Sequence, residues 1–243
     1  MCIRDRTQDG WLVDATTSAK YEISPGGVVE IDARGFVTPL ANGEATVKVS
    51  IGGISAEKKL RVESFVDQPV VNFPNQVVPI FTKHGCNGGG CHGKSGGQNG
   101  FRLSLLGFYP TEDHEYLVKE GRGRRITPAA PGLSLLLRKA LNVSPHGGGK
   151  RFGEESYEYR IIHRWMRQGM PYGNAADLRV ERVEVFPPQR KMPKGSMQQL
   201  SVIAFYNDGS YEDVTPMATL EGNDKEFVVC ELKGCVQVYY LSC

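Results

Sequence analysis

"HGCNGGGCHG", residues 84–93, places two histidines and two cysteines within nine positions, and four of the six residues between His84 and Cys91 are glycine. The sequence on either side decides what scaffold holds this cluster. Upstream, Pro69, Pro74 and Pro79 mark the entry to a new segment. "NQVVPIFTKHG" (75–85) then predicts a short helix with Asn75 as N-cap and an apolar set of Val77, Val78, Ile80 and Phe81. Downstream, "LSLLLRKAL" (133–141) is a second helix candidate after the Pro131-Gly132 turn. "SYEYRIIHRWMRQGMP" (156–171) is the third. Its Tyr157, Ile161, Ile162, Trp165 and Met166 share one apolar face, Gly169 stands at C′ and Pro171 stops the helix. These patterns predict a small, mainly helical segment with long loops over 70–176.

Working outward, the two ends of the chain are related. A shift of 199 positions lays residues 9–43 over 208–242 without a gap. Asp9, Gly10, Asp14, Thr16, Ala19, Glu22, Val29, Gly35 and Val37 match identical residues, nine in about 35 aligned positions. Such a match implies duplicated units. Short alternating runs such as "ATVKVSI" and "KKLRV", separated by NG, GG and DG turns, predict β-structure in each copy. "QQLSVIAFYNDGSYEDVT" (198–215) predicts a hairpin across Asn207-Asp208-Gly209. The unit resembles the bacterial Ig-like domain, group 2, whose ending G-x-V-x5-G-x-A-x-V stands here as "GFVTPLANGEATVKV" (35–49). Neither copy has all the strands of that unit. One expectation is therefore that strands near 45–62 lie beside strands near 181–206 and complete one another.

The cluster itself allows three chemistries. A c-type haem needs two thiols that add to the porphyrin vinyl groups and a histidine directly after the second thiol to reach the iron. The usual spacing is C-x-x-C-H. Here it is C-x4-C-H, with Cys86, Cys91 and His92. Gly88, Gly89 and Gly90 can take positive φ, which allows the longer detour and a close approach to a flat ring. A zinc ion could instead draw on His84, Cys86, Cys91 and His92, though adjacent Cys91 and His92 point in different directions. A Cys86–Cys91 disulfide, or two free thiols, is the plainest alternative.

In order along the chain, "GCNGGGCHGK", "GQNGFRLSLLGF", "PGLSLLLRKAL", "HGGGKRF" and "YRIIHRWMRQGMP" resemble the cytochrome c-like domain of large planctomycete-type proteins, which place a haem motif beside bacterial Ig-like modules. The resemblance implies one covalent haem c, electron transfer to a redox partner protein of unknown identity, and a periplasmic, extracellular or cell-surface location. Cys86, Cys91 and His92 would bind the haem, His92 as an iron ligand. His146, in "SPHGGGKRF", is the favoured sixth ligand and Met170 the alternative. This arrangement should line one cavity with Cys86, Cys91 and His92, with His146 or Met170 across it. Arg124, Arg125 and Arg151 are candidates to pair with haem carboxylates. The expected architecture is multidomain. A mainly α cytochrome c-like domain (70–176) lies between two partial all-β Ig-like sandwiches, residues 7–66 (incomplete at its N-terminal side) and 180–243 (incomplete at its C-terminal side). The Ig-like units would serve as spacers or as surfaces for cell-surface or carbohydrate contacts. A non-redox adhesion protein with a disulfide- or zinc-stabilised middle is the competing expectation.

The rest of the composition narrows the field. A net charge of +2 gives no global field for nucleic acid, and "KEGRGRRI" (119–126) lacks interleaved aromatics. No apolar run approaches the roughly 20 residues of a membrane span. The opening "MCIRDR" looks like translated adapter sequence and is set aside. "CELKGC" (230–235) repeats C-x4-C but is followed by Val236, so Cys230 and Cys235 read as packing residues or a small hairpin disulfide. No catalytic triad, paired carboxylates or phosphate loop is visible.

Overall fold

A computed structural model of the chain describes residues 3–6, 12–66, 68–174, 176–192, 195–224, 228–230 and 235–238. Seven strands come first: β1 (Arg4–Arg6), β2 (Leu12–Asp14), β3 (Lys20–Ser24), β4 (Val29–Ile31), β5 (Val37–Pro39), β6 (Gly43–Ile51) and β7 (Ile54–Val62). The helices α1 (Val78–Lys83), α2 (Pro110–Val118), α3 (Leu135–Ala140) and α4 (Tyr157–Arg167) follow, linked by loops and single helical turns. Then come β8 (Val180–Phe186), β9 (Met197–Gln199), β10 (Ser201–Tyr206), β11 (Tyr211–Asp213), β12 (Val228–Cys230) and β13 (Cys235–Val238). All pairing is antiparallel: β1 with β2, β4 with β5, and sheets in the orders β3-β6-β7, β11-β10-β8 and β12-β13-β9.

The repeat reappears in the hydrogen bonding. Arg4 pairs with Asp14 and Arg6 with Leu12; Ile203 pairs with Asp213 and Phe205 with Tyr211. Val29 pairs with Pro39 and Val228 with Val238. Each pair is its counterpart displaced by 199 positions. The Asp-x-Thr bend is duplicated too. Asp14 accepts the Thr16 N–H at 2.8 Å, and Asp213 accepts the Thr215 N–H at 3.0 Å. The threonine hydroxyls then accept the N–H of Ile3 (2.9 Å) and of Val202 (2.8 Å), again equivalent residues. These side chains satisfy backbone donors that strand pairing leaves over. Arg4–Arg6, set aside above, is thus the counterpart of Ile203–Phe205 in β10.

The expected fold class is overturned. The structure is 22% helix and 26% strand; among the described residues the sheets hold two or three strands each, and α1 to α4 run only six to eleven residues. This is not a mainly α domain between two partial Ig-like sandwiches. A sandwich needs strands that bury one face, yet β7 is exposed on both faces over Ile54–Lys59 and β8 almost throughout. The alternation in "KKLRV" marks a solvated edge strand with charged side chains. Nor do the two ends complete one another as expected. Among the described residues no strand of 43–62 hydrogen-bonds to one of 180–206. The ends meet instead where the Asp14 carboxylate accepts the N–H of Gln199 and the side-chain amide of Gln198.

The middle falls short of helix for a local reason. Three of its helices end in the same hard stop, in which a left-handed C′ residue turns the chain and two amides cap the last carbonyls. For α1 these are Gly85 N–H to Thr82 and Cys86 N–H to Phe81, for α3 Asn142 to Lys139 and Val143 to Arg138, and for α4 Gly169 to Met166 and Met170 to Trp165. The N-cap ahead of α1 is Asn72, not Asn75: its carboxamide oxygen accepts the Asn75 N–H at 2.9 Å. Helix α2 was not foreseen. Pro110 at its start and Glu112 and Asp113 in its first turn are the signal. Val71, Phe73, Ile80, Leu117, Leu137 and Trp165 are fully buried at the centre of the core these pieces share. Among the described residues no helix is long and apolar enough to cross a membrane.

Candidate functional site

The stop at the end of α1 sets the first cysteine. His84 is the C-cap, Gly85 takes φ 66°, and Cys86 is the residue whose N–H closes back on Phe81 at 2.8 Å. In that position a side chain folds against the helix it has just left, and Cys86 packs on the core. Burial pushes its thiol up to about 11, with the nearby Arg151 charge opposing. Cys86 is therefore a neutral thiol and not an activated nucleophile.

The loop then folds back on itself. His92 donates its N–H to the Cys86 carbonyl at 3.0 Å, and Gly93 donates to Gly88 at 3.1 Å. The buried Asn87 side chain donates to Thr82 at 2.9 Å, while its backbone carbonyl accepts from Leu106 at 3.0 Å. Gly93 presses so closely on this turn that a Cβ there would lie 1.9 Å from the Asn87 carbonyl oxygen. Backbone cannot swing aside as a side-chain end can. Gly93→Ala is expected to cost roughly 1–3 kcal/mol, readable as a lower midpoint in urea unfolding; an unchanged midpoint would show that the loop tolerates the closer packing. Gly88, Gly89 and Gly90, by contrast, do not take positive φ. The positive φ nearby belongs to Gly85, ahead of Cys86 and outside the Cys86–Cys91 loop, and a Cβ on Gly90 would meet no protein atom within 4 Å.

Two histidines come together here. The rings of His92 and His146 lie 6.4 Å apart, centre to centre, with only 8° between their planes. His92 Nδ1 is bonded to the Phe101 carbonyl at 3.1 Å, and His146 Nδ1 to the Gly149 carbonyl at 2.9 Å. A carbonyl can only accept, so each Nδ1 carries a proton, and in the neutral ring the lone pair is then on Nε2. Burial lowers the pKa of His92, and His146, Arg125 and Arg151 lower it further against the opposing Phe101 bond. His92 is thereby held in the neutral form that binds metals.

The other candidates are placed elsewhere. Met170 packs on the core, and its carbonyl accepts from His114 Nε2 at 2.8 Å. His84 faces Glu158, Nε2 to Oε1 at 3.1 Å, so it does not join Cys86, Cys91 and His92 as a fourth ligand. Among the described residues no three His, Cys, Asp or Glu side chains gather as a metal site. Cys86 and Cys91 are free thiols, as is Cys230, which lies in the β12–β13 hairpin; the Cys235 side chain lies outside the described residues. Of the three arginines, Arg124 reaches only the Asn99 carbonyl at 3.5 Å. Arg125 is buried and spends its guanidinium on the carbonyls of Tyr116, Glu120 and Gly100. Arg151 donates from Nη1 to the His84 carbonyl at 3.0 Å, while its Nε is buried without a partner. A cleft of about 500 Å³ begins one residue on, at Gly93, and is lined by Lys94, Arg102, Leu105 and Phe108 rather than by Cys86, Cys91, His92 or His146.

Phe101 was not foreseen as part of the site, although its signal was in the sequence. "QNGF" (98–101) forms a tight turn with Asn99 and Gly100 both at positive φ, closed by reciprocal Gln98–Phe101 bonds of 2.8 and 3.1 Å. Asn-Gly is the strongest short-range signal for such a turn. It puts the Phe101 carbonyl on His92 Nδ1 and the Phe101 ring 4.6 Å from the imidazole. No family model matches this chain, and no curated protein matches it.

Proposed function

We propose that the loop around Cys86–His92 is a c-type haem attachment site serving electron transfer, in a protein that works in the periplasm or at the cell surface. Cys86 and Cys91 would hold the porphyrin, with His92 and His146 as the two iron ligands. A haem iron supplies one-electron chemistry when bound. The observation that carries the reading is the His92–His146 pair: two near-parallel imidazoles, 54 positions apart in the chain, with ring centres 6.4 Å apart. Both rings also have the outer nitrogen tied to a carbonyl, the arrangement that orients imidazole ligands and fixes their tautomer.

Two further features fit the same group. The orphaned Nε of Arg151 lies beside His146, since a Cβ on Gly148 would touch both side chains. A haem carboxylate would satisfy it. Gly89 and Gly90 are exposed, and neither backbone φ nor close packing demands glycine there. A flat ring laid against the loop gives their missing side chains a use. A haem brings four of its six ligands itself, so two histidines suffice where a zinc site would need more.

The test is a visible spectrum of protein exported in cells that carry c-type haem maturation machinery. The expected result is a Soret band that stays with the polypeptide through acid-acetone extraction. A colourless protein with zinc by elemental analysis, or with a Cys86–Cys91 disulfide by mass spectrometry, would overturn the reading and favour a non-redox surface protein.

A further inference from the structure

The buried Arg125 stands out once its neighbours are followed. It is 4% exposed, yet its guanidinium meets backbone carbonyls and no carboxylate within ion-pair distance among the described residues. Glu120 favours its charge from beyond that distance, against burial and the neighbouring Arg124, and burying a charge without a close opposite partner is costly. Clasping the end of α2 and two turns is one use for it, but a neutral side chain could supply part of that. Its geometry points elsewhere as well. The guanidinium carbon lies 4.6 Å from the centre of the Phe101 ring, within the range of a cation–π contact. Phe101 in turn lies 4.6 Å from His92 and holds its Nδ1. His146 follows, parallel to His92. Arg125, Phe101, His92 and His146 are thus consecutive neighbours.

We infer that Arg125 is a positioning residue for the redox site, a fixed positive charge set behind His92 through Phe101. The inference rests on the haem reading above. Oxidising the iron adds a positive charge to the site, and a buried cation nearby opposes that step. In a low-dielectric interior the opposition is strong and poorly screened by salt. Arg125 therefore raises the reduction potential, against the low value that paired imidazoles favour. Arg151 acts in the same sense on His92.

The structure offers a way to test the charge without cutting out the arginine. A Cβ on Gly121 would sit 3.3 Å from Arg125 Nη1, and Gly121 has φ 62°, a conformation that aspartate and asparagine tolerate best among side-chain-bearing residues. Gly121→Asp places a carboxylate against Arg125, and Gly121→Asn is its neutral match. Spectroelectrochemical titration of the haem-loaded proteins reads the result. The midpoint potential is expected to fall in Gly121→Asp relative to Gly121→Asn, and to fall in Arg125→Gln relative to Arg125→Lys. Equal potentials within the Gly121 pair overturn the inference, even where Arg125→Gln proves too unstable to titrate. A protein that takes up no haem overturns the function proposed above along with this one, whereas a haem-loaded protein with equal potentials overturns this one alone.

Discussion

Alanine at both Cys86 and Cys91 is expected to move all of the porphyrin into the solvent phase of an acid-acetone extraction, where the unsubstituted protein keeps its haem on the chain. The two thiols are the only covalent anchors the proposed site offers. The single variants should separate chemistry from packing. Cys86 sits on the core at the end of α1, so Cys86→Ala should also cost about 1 kcal/mol of stability through lost apolar contact. Cys91 lies on the turn that follows the exposed Gly89 and Gly90. Its replacement should change stability by about 0.5 kcal/mol or less. Each single variant should still hold haem by one thioether. If the double variant kept its porphyrin through extraction, the attachment would have to be somewhere else.

The same contrast between chemistry and packing explains what the sequence made legible. The repeat could be read because its information is local. Asp14, Thr16, Asp213 and Thr215 fix a bend through bonds to their own neighbours, and such bonds leave a fixed spacing in the chain. Helix ends were legible for the same reason, as Gly169 shows at the end of α4. The sheet layers were not. Alternation of apolar and charged residues in β7 states which side chains differ, but not whether anything covers either face, and nothing covers them over Ile54–Lys59. The candidate site divides along the same line. Cys86, Cys91 and His92 form one contiguous motif. His146 lies 54 positions beyond His92, and its glycine-rich surroundings suggested only a loop able to lie flat. The place of Arg125 was hidden, because a basic run such as "KEGRGRRI" does not show which of its charges turns inward. Burial of one arginine among three carbonyls depends on the 98–101 turn, the end of α2 at Tyr116 and the turn at Glu120 meeting in space.

Trp165→Ala is the variant expected to damage the molecule most. Trp165 is fully buried on α4, its ring centre 5.2 Å from that of Phe73, and its indole N–H donates to the Pro171 carbonyl at 2.8 Å. Its own carbonyl accepts the Met170 N–H that stops the helix. Removing the indole deletes the largest apolar body in the core and leaves the Pro171 carbonyl without its donor. The expected loss is about 3–5 kcal/mol, a large part of the roughly 5–15 kcal/mol that holds a domain folded. Guanidinium unfolding followed by far-ultraviolet circular dichroism should show the helical signal of 73–167 lost at a much lower midpoint. Trp165→Phe keeps most of the ring volume but not the hydrogen bond. It should recover more than half of that loss, because packing outweighs one neutral hydrogen bond of about 1 kcal/mol. Were the phenylalanine variant as unstable as the alanine one, the bond that ties α4 to the 169–172 turn would be the dominant contribution, and the core would be better described as held by its loop closures than by its apolar contacts.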